Sequence, residues 1–501
     1  MQQELNQKPH REPSAPASPA PRIGILVVAY NAATTLASVL DRVPQSFRHR
    51  IAQVFVCDDA SDDSTYLVGL GYQQISQDLP LTVIRHPRNL GYGGNQKAGY
   101  RLAIENDLDI VVLLHGDGQY APESLPDIVG PLERGECDAV MGSRMMTKGS
   151  ARKGGMPLYK YIGNRILTGF ENRMLGTSLT EFHSGYRAYS VKALASIPFG
   201  QNSDGFNFDT QIIIQLFDAG KKIVEVPIPT YYGDEICYVD GLKYAKEVSL
   251  DVTRYKLGKL GFLSGELGSV GQEYGMKQAE ESSHGVILRW LEQIPPARIL
   301  DLGTSSGLLA DHARRLGHEV TAVDVLELPG VADRVDRFIQ ADLDQGLPPE
   351  VTQHGPYQVA LAADILEHVR TPERLLAEIR DVLVPRGTLI ASVPNFGHWY
   401  ARGRTLLGLF DYDQRGVLDQ GHVRFFTRRG LLRRLRTAGY SVVRSDATGL
   451  PLEVLTGRGG PLQRLVRLLD RLAVLARPTL FGYQFVVQCE SPQDSTVVDE
   501  L

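Results

Sequence analysis

The chain has 501 residues, a length that predicts about two to four domains. A hydrophobic fraction of 43% and a charged fraction of 22% are typical of a globular protein, and the net charge of -5 predicts no general attraction to nucleic acid. The four cysteines are far apart in sequence, which argues against a disulfide framework or a structural zinc site. No apolar run approaches the roughly 20 residues that span a bilayer, and no signal-peptide core is present, so a cytoplasmic protein is expected.

The pattern of apolar runs predicts two globular domains. Residues 1–21 are rich in proline and predict a disordered tail, and residues 491–501 predict a second tail. Short apolar strands alternate with amphipathic stretches over 22–262 and again over 285–490, with a linker at 263–284. This alternation is typical of a sheet covered on both faces, so the predicted fold class is α/β with two doubly wound domains.

In the first domain, polar and glycine residues follow successive predicted strands, where an open α/β sheet places its ligand crevice. A glycine-rich turn allows close backbone approach, and the helix after it favours phosphate at its N-terminus. One Asp-Gly turn is usually only a turn. Polar or glycine-rich segments at the ends of four successive predicted strands together favour a nucleotide site. The predicted donor-binding residues are Ala29, Tyr30, Asn31, Asp58, Asp59, Ser61, Gly91 and Gly94.

A metal site is expected after the apolar strand Ile110–Leu114, in the sequence His115-Gly116-Asp117-Gly118-Gln119. A hard oxygen ligand at a strand end suits Mg²⁺ or Mn²⁺ that bridges a diphosphate. Asp117 and Gln119 are therefore the predicted metal ligands.

Residues 22 to about 250 resemble a family 2 glycosyltransferase of the GT-A fold, close to the dolichyl-phosphate-mannose-synthase-like branch. The strand-end motifs carry the resemblance, together with Gly142-Ser143-Arg144, Ser184-Gly185-Tyr186-Arg187 and Glu225-Val226-Pro227-Ile228-Pro229. The resemblance implies a nucleotide-sugar donor and inverting transfer. It also implies catalytic roles for Asp117, Arg144 and Arg187, with the arginines stabilising the leaving diphosphate.

Two features leave alternatives open in this domain. His115 stands where the family usually has an Asp, so metal binding would depend mainly on Asp117 with Gln119 as a second ligand, and His115 would either be a ligand itself or orient one. A hydroxyl acceptor would need a carboxylate base, for which Glu181 and Asp209 are candidates. A lipid phosphate is already an anion and would need no base.

The second domain starts with a strand that enters the turn Asp301-Leu302-Gly303-Thr304-Ser305-Ser306-Gly307. About 20 residues later, Asp324 ends the next strand, where an acid can accept ribose hydroxyls. Asp342 and Leu343 follow the third strand, where an acid can bond an adenine amino group. The turn alone is weak evidence, and the spacing of the three acids strengthens it.

From about Gly285 to Cys489, this succession resembles class I S-adenosylmethionine (SAM)-dependent methyltransferases with a Rossmann-like fold, particularly the group of ubiquinone-biosynthesis O-methyltransferases. The segments Asp364–Val369, Ser392–Asn395 and Gly421–Thr427 match that group. The residues implied to bind SAM are Asp301, Gly303, Gly307, Asp324, Asp342 and Leu343. His368 and His422 are the candidate proton acceptors, although a lone histidine is more often a hydrogen-bonded core residue.

Arginines cluster in two helical stretches near the C-terminus. The first stretch follows Thr427, and the second, Leu462–Leu475, carries leucines on one face with arginines around it. A solvated basic face of a domain helix is the ordinary interpretation. The alternative is a surface that contacts a membrane, an acidic glycan or a lipid phosphate.

The sequence therefore predicts a bifunctional enzyme. It would transfer a sugar to a glycan or lipid-linked acceptor, and a methyl group from SAM to an oxygen of the same or a related product. The alternative is a polyprenyl-phosphate glycosyltransferase with an unrelated or catalytically inactive methyltransferase-like module. Peripheral membrane contact is compatible with both hypotheses, and no nucleic-acid partner is expected.

Overall fold

The computed structural model describes residues 20–231, 239–262, 267, 282–413, 415–451 and 461–493. The predicted tail 1–21, the linker 263–284 and the tail 491–501 lie mostly outside these ranges, and the predicted domain boundaries remain predictions. The chain forms two compact units. They are Met1–Arg165 with Thr180–Val239, and Ile166–Leu179 with Asp240–Leu501.

The first unit contains a seven-stranded sheet in the order β3-β2-β1-β4-β6-β5-β7. Neighbouring strands are parallel, except that β6 runs antiparallel to β4 and β5. All seven residues of β1 are buried, as expected for a central strand covered on both faces. The strands are β1 (Ile23–Ala29), β2 (Ile51–Asp58), β3 (Leu81–Arg85), β4 (Ile110–His115), β5 (Ala139–Ser143), β6 (Arg187–Ser190) and β7 (Ile223–Pro227).

The helices of this part of the chain lie between the strands in sequence. Helix α4 packs against β1, and α5 packs against β4 and β5. The helices are α1 (Leu36–Asp41), α2 (Gln45–Arg48), α3 (Thr65–Ile75), α4 (Tyr92–Glu105), α5 (Leu125–Glu133), α6 (Ser150–Lys153), α7 (Leu158–Leu175), α8 (Val191–Ala195) and α9 (Phe208–Asp218).

The second unit contains another seven-stranded sheet, in the order β10-β9-β8-β11-β12-β14-β13. Here β14 runs antiparallel to β12 and β13, and the other pairs are parallel. The strands are β8 (Arg298–Leu302), β9 (Glu319–Asp324), β10 (Arg337–Gln340), β11 (Tyr357–Ala363), β12 (Leu383–Pro394), β13 (Ser441–Thr448) and β14 (Gln484–Glu490). The helices are α10 (Gly241–Lys259), α11 (Ser283–Leu291), α12 (Leu308–Arg315), α13 (Val331–Arg334), α14 (Pro349–Gln353), α15 (Pro372–Val382), α16 (Trp399–Leu406), α17 (Arg428–Thr437), α18 (Pro461–Ala476) and α19 (Pro478–Phe481).

Alternate residues of the central strands in the second unit enter two different cores. Leu300 of β8 packs with residues of α15 and α17, whereas Ile299 packs with residues of α11 and α12. Both sheet faces are therefore covered, and the predicted α/β class with two sheets is confirmed. The antiparallel strand in each sheet was not predicted by the strand–helix alternation.

Within the described ranges, every helix is either too short or too polar to cross a bilayer.

Candidate active sites

The carboxyl ends of three neighbouring strands bring the predicted donor-binding segments of the first unit together. Ala29 of β1 is in register with Asp58 of β2, and Val28 is in register with His115 of β4. The Asp59 N–H donates to the Ala29 carbonyl at 2.9 Å. The first residues after each strand therefore lie side by side at one sheet edge, where an open α/β fold binds its ligand.

Asp59 holds the glycine-rich turn in place. It is buried, and its two carboxylate oxygens accept the N–H groups of Leu90 at 2.7 Å and Gly91 at 3.0 Å. Burial raises the pKa of Asp59, although these N–H groups act in the opposite direction. Gly91 has φ of 81°, and a Cβ there would lie 2.7 Å from the Asp204 carbonyl oxygen. A glycine is therefore required at the start of α4.

A second network joins the loops after β1 and β2. Asp58 is fully buried and accepts the Ser61 hydroxyl. Ser61 Oγ in turn accepts the Asn31 N–H at 2.9 Å, and Asn31 Oδ1 accepts the Asp62 N–H at 3.0 Å. Asn31 has φ of 50°, a left-handed conformation that asparagine adopts more readily than most residues. These polar groups give the edge a defined shape.

The remaining predicted donor residues lie at the same edge. Ala29 is buried at the end of β1, whereas Tyr30 is 37% exposed. Gly94 lies in the first turn of α4, where a Cβ would meet the Leu90 side chain at 2.9 Å. Sequence reasoning missed Arg85, whose Nε lies 3.4 Å from Asp58 Oδ2 and whose side chain is half exposed. Because Arg85 lies at the carboxyl end of β3, its position could have identified it from the sequence.

Asp117 is exposed after β4, and one of its oxygens accepts the Gln119 N–H at 2.9 Å. A carboxylate has about four lone-pair directions, so this bond leaves capacity for a cation. His115 is partly buried: its Nε2 lies 3.3 Å from the Tyr92 hydroxyl, and its ring meets Tyr120 edge-on. Burial lowers the pKa of His115 although Asp117 raises it, so the imidazole is neutral near pH 7. The chemistry of this carboxylate fits a hard divalent cation, which Asp117 would hold.

Arg144, a predicted catalytic cation, lies in a buried ion pair with Glu181. The Glu181 carboxylate accepts the Arg144 backbone N–H at 2.7 Å and its Nε at 3.0 Å. Glu181 also accepts the Asn164 side-chain amide at 2.8 Å. Burial alone would raise the pKa of Glu181, but the Arg144 charge and these hydrogen bonds outweigh it and lower the pKa. Glu181 is therefore a poor proton acceptor.

Arg187, the second predicted cation, has no exposed surface. Its guanidinium donates to the carbonyls of Ser184, Asp209 and Phe182 at 2.7–2.8 Å, and it lies 3.4 Å from Asp209 Oδ2. The Asp209 carboxylate also accepts the Tyr92 hydroxyl at 2.9 Å and the Gln96 amide at 3.1 Å. Asp209, paired with Arg187, therefore anchors Tyr92 at the start of α4, and the Tyr92 hydroxyl also lies beside His115 at the end of β4.

In the second unit, Asp301 lines a small cavity. It is buried, and its carboxylate accepts the Thr304 hydroxyl at 2.6 Å. Burial raises the pKa of Asp301 to about 6, with a further increase from the neighbouring Asp324 and an opposing effect from Thr304. Asp324 ends β9 and accepts the Ser305 N–H at 2.8 Å. Two of the predicted acids therefore meet around one turn.

The same turn brings its backbone close to the cavity. Gly303 and Gly307 have φ of 73° and 72°, and a Cβ on Gly303 would lie 2.8 Å from the Ile365 side chain. Asp342 is exposed after β10, and Leu343 beside it is buried. A buried carboxylate beside glycine backbone fits a cofactor with a cationic ammonium group, as SAM has.

His368 and His422 face each other, with ring centroids 5.0 Å apart. His368 Nδ1 lies 3.0 Å from the Gly421 carbonyl, and burial lowers the pKa of His422. Both histidines and the buried Glu367 place their ligand atoms within 4.8 Å of one another, so these three side chains could also hold a metal ion.

Comparison with known proteins supports both domains. Residues 24–197 match the family model described as "Glycosyl transferase family 2". The undecaprenyl-phosphate mannosyltransferase of Micrococcus luteus is 31% identical over 195 residues, which cover 39% of this chain and 75% of that protein. The chain belongs to glycosyl transferase family 2. A further member, the polyprenol monophosphomannose synthase of Mycolicibacterium smegmatis, is 26% identical over 220 residues, 43% of this chain and 80% of that protein.

Residues 276–445 match the family model described as "Methyltransferase domain". A crystal structure of Burkholderia thailandensis 1,6-didemethyltoxoflavin-N1-methyltransferase is 21% identical, with a TM-score of 0.28, and the match covers 43% of this chain and 79% of that chain. This family 2 glycosyltransferase thus carries a methyltransferase domain, and both predicted enzyme families are confirmed.

Proposed function

We propose that the first domain transfers a sugar from a nucleotide-sugar to the phosphate of a polyprenyl lipid. This acceptor is supported by the observation that both candidate bases are already paired with other side chains. A hydroxyl acceptor must lose a proton to a base, but Glu181 is engaged by Arg144, and Asp209 by Arg187 and Tyr92. A phosphate oxygen is already an anion and can attack without either carboxylate.

The names of the relatives support the same acceptor class. One is an undecaprenyl-phosphate mannosyltransferase and another is a polyprenol monophosphomannose synthase. A lipid-linked acceptor would bring this chain to a membrane surface, so peripheral membrane contact belongs to the proposal.

In the proposed reaction, Asp58, Asp59 and Ser61 would shape the nucleoside site, and the Gly91 turn would approach the diphosphate. A divalent ion bound through Asp117 would neutralise charge on the leaving diphosphate. The enclosed guanidinium groups of Arg144 and Arg187 suggest a positioning role in place of the predicted direct contact with the leaving group.

We further propose that the second domain methylates an oxygen of the glycosylated product or a related molecule. Asp301, Gly303, Gly307 and Asp324 would hold SAM, together with the pair Asp342 and Leu343. SAM supplies an electrophilic methyl group, and His368 or His422 would take the proton of the acceptor hydroxyl. Fusion would keep the second activity at high effective concentration near the first product.

The glycosyl transfer is tested with radiolabelled nucleotide-sugars, Mn²⁺ and undecaprenyl phosphate in detergent, followed by solvent extraction. Lipid-soluble label with the wild type and its loss with Asp117→Asn supports the proposal. Label that transfers only to a soluble glycan contradicts the lipid acceptor.

Methylation is tested by adding methyl-labelled SAM to the purified glycosylated lipid. Incorporation into that lipid supports coupled activities. Its absence, with SAM binding intact, would favour a methyltransferase domain that acts on an unrelated molecule, and no SAM binding would favour an inactive module.

A further inference from the structure

Helix α18 presents an apolar stripe to solvent. Five of its leucines are each between 50% and 71% exposed. Apart from one adjacent pair, they are spaced three or four residues apart, and this places them along one side of the helix. These leucines, which we call the leucine stripe, are Leu465, Leu468, Leu469, Leu472 and Leu475.

The other side of α18 attaches the helix to its own unit. Val474 is 8% exposed, and the Asp470 carboxylate accepts the Leu450 N–H at 3.2 Å. At about 100° per residue, Val474 lies half a turn around the helix from Leu465. The leucine stripe therefore faces outward because the inward contacts are made by other residues.

Arginines border the leucine stripe. Arg464, Arg467 and Arg471 are exposed on α18 itself. On α17, further arginines line a groove of about 650 Å³ together with Thr479 of α19, the helix that packs against α18. The arginines of this groove, which we call the arginine groove, are Arg428, Arg429, Arg433 and Arg436.

The positive charge of this surface favours an anionic partner. Within α18 the one acidic residue, Asp470, is already bonded to Leu450, and α17 has no acidic residue. Guanidinium groups favour phosphate oxygens, and an apolar stripe that has arginines on the same helix favours the boundary between lipid headgroups and acyl chains. An anionic membrane offers both chemistries in one plane.

We propose that the leucine stripe and the arginine groove form a docking surface for an anionic membrane. The leucines enter the headgroup region with α18 parallel to the membrane plane, and the arginines contact lipid phosphates. The inference deepens the proposed function and rests on its peripheral membrane contact, for which it names the surface. Vesicle binding requires neither transfer reaction, so the docking surface and the proposed reactions can fail separately.

The first test is flotation of the full chain with vesicles of phosphatidylcholine alone or mixed with phosphatidylglycerol. Binding to the mixed vesicles, weakened by salt, is expected. Leu468→Gln with Leu472→Gln should weaken binding by about tenfold or more. The matched control is Leu67→Gln with Ile75→Gln, two leucine-sized residues of α3 that are 66% and 75% exposed, and it should bind like the wild type.

The second test concerns the arginine groove. Changing Arg429, Arg433 and Arg436 together to Gln should weaken binding by about a hundredfold. Changing the same three to Lys should preserve binding, because the negative surface potential of the vesicle attracts any positive charge. Loss with Lys as well as Gln would overturn the proposal in favour of a specific phosphate site.

Two other outcomes would also overturn the proposal. One is wild-type protein that does not float with anionic vesicles at low salt. The other is a dimer in sedimentation experiments that the leucine variant dissociates, while vesicle binding stays absent. Circular dichroism melting of each variant checks that the fold is retained.

Discussion

Glu181 and Arg144 form a buried ion pair in which the carboxylate binds both the side chain and the backbone N–H of the arginine. The pair joins the residue after β5 to the loop before β6. Because each charge is removed from water, each depends on the other for stabilisation.

Glu181→Ala should therefore destabilise the first unit by about 3–5 kcal/mol, because it leaves the Arg144 guanidinium buried without its partner. Urea unfolding of the full chain measures the effect. Replacing both residues, as Glu181→Leu with Arg144→Met, should recover only part of the loss, because the backbone N–H of residue 144 and the Asn164 amide still lose their acceptor. A single variant as stable as the wild type would contradict the buried pair.

The same pair predicts a pH dependence. The folded-state pKa of Glu181 lies below its ordinary value of 4.5. Its contribution to stability is thus fully present above that value, and it is lost as the pH falls through the lower folded-state pKa. In the doubly substituted variant this part of the acid sensitivity should disappear, which unfolding at pH 7 and pH 3 can compare.

Gly91→Ala should weaken both folding and donor binding. The residue has φ of 81°, and the new Cβ would lie 2.7 Å from a backbone oxygen, so the turn at the start of α4 must shift. Gly71→Ala is the matched control: a Cβ there meets nothing within 4 Å in helix α3, and it should stabilise the helix by about 0.5–1 kcal/mol. Equal effects of the two variants on nucleotide-sugar affinity would contradict the role of the turn.

Most of the fold could be predicted because strand patterns are local. The run Ile110–Leu114 was predicted as a strand and lies within β4, which ends one residue later at His115. The antiparallel β14 could not be predicted in the same way. Its pairing with β12 and β13 depends on tertiary packing. No short hairpin turn connects β13 to β14, so the local sequence does not indicate the antiparallel pairing.

The candidate sites were predicted unevenly for a similar reason. Asp59 and Asp301 follow strands, and strand ends in a parallel sheet meet at one edge, so their general location follows from sequence. The pairing of Arg144 with Glu181, 37 residues apart, depends on how two loops fold together. Arg187 begins β6, between β4 and β5, where its side chain is enclosed, a position that the sequence does not reveal. Its role as a catalytic cation stays a prediction.

His422→Ala should lower the rate of methyl transfer by about 10²–10⁴-fold while SAM affinity stays unchanged, as expected for a proton acceptor. Single-turnover kinetics and calorimetry separate the two quantities. Chelator treatment of the wild type is the decisive control, because Glu367, His368 and His422 lie close enough to bind an ion. If a chelator abolishes the activity and a divalent metal restores it, His422 acts as a metal ligand and not as the proton acceptor.

Affinity for SAM should fall as the pH is lowered through about 6. Burial raises the pKa of Asp301 to about 6, so its negative charge, which the ammonium group of SAM would require, is lost near that pH rather than near the ordinary 3.8. Below the pKa, the dissociation constant should rise about tenfold per pH unit until the complex itself takes up the proton. Thr304→Val removes a hydrogen bond that lowers this pKa, so the whole profile should move to higher pH. Calorimetric titration at pH 5, 6 and 7.5 with both proteins measures the shift. A profile that is flat to pH 5 in the wild type would mean that Asp301 does not carry the charge that holds the cofactor.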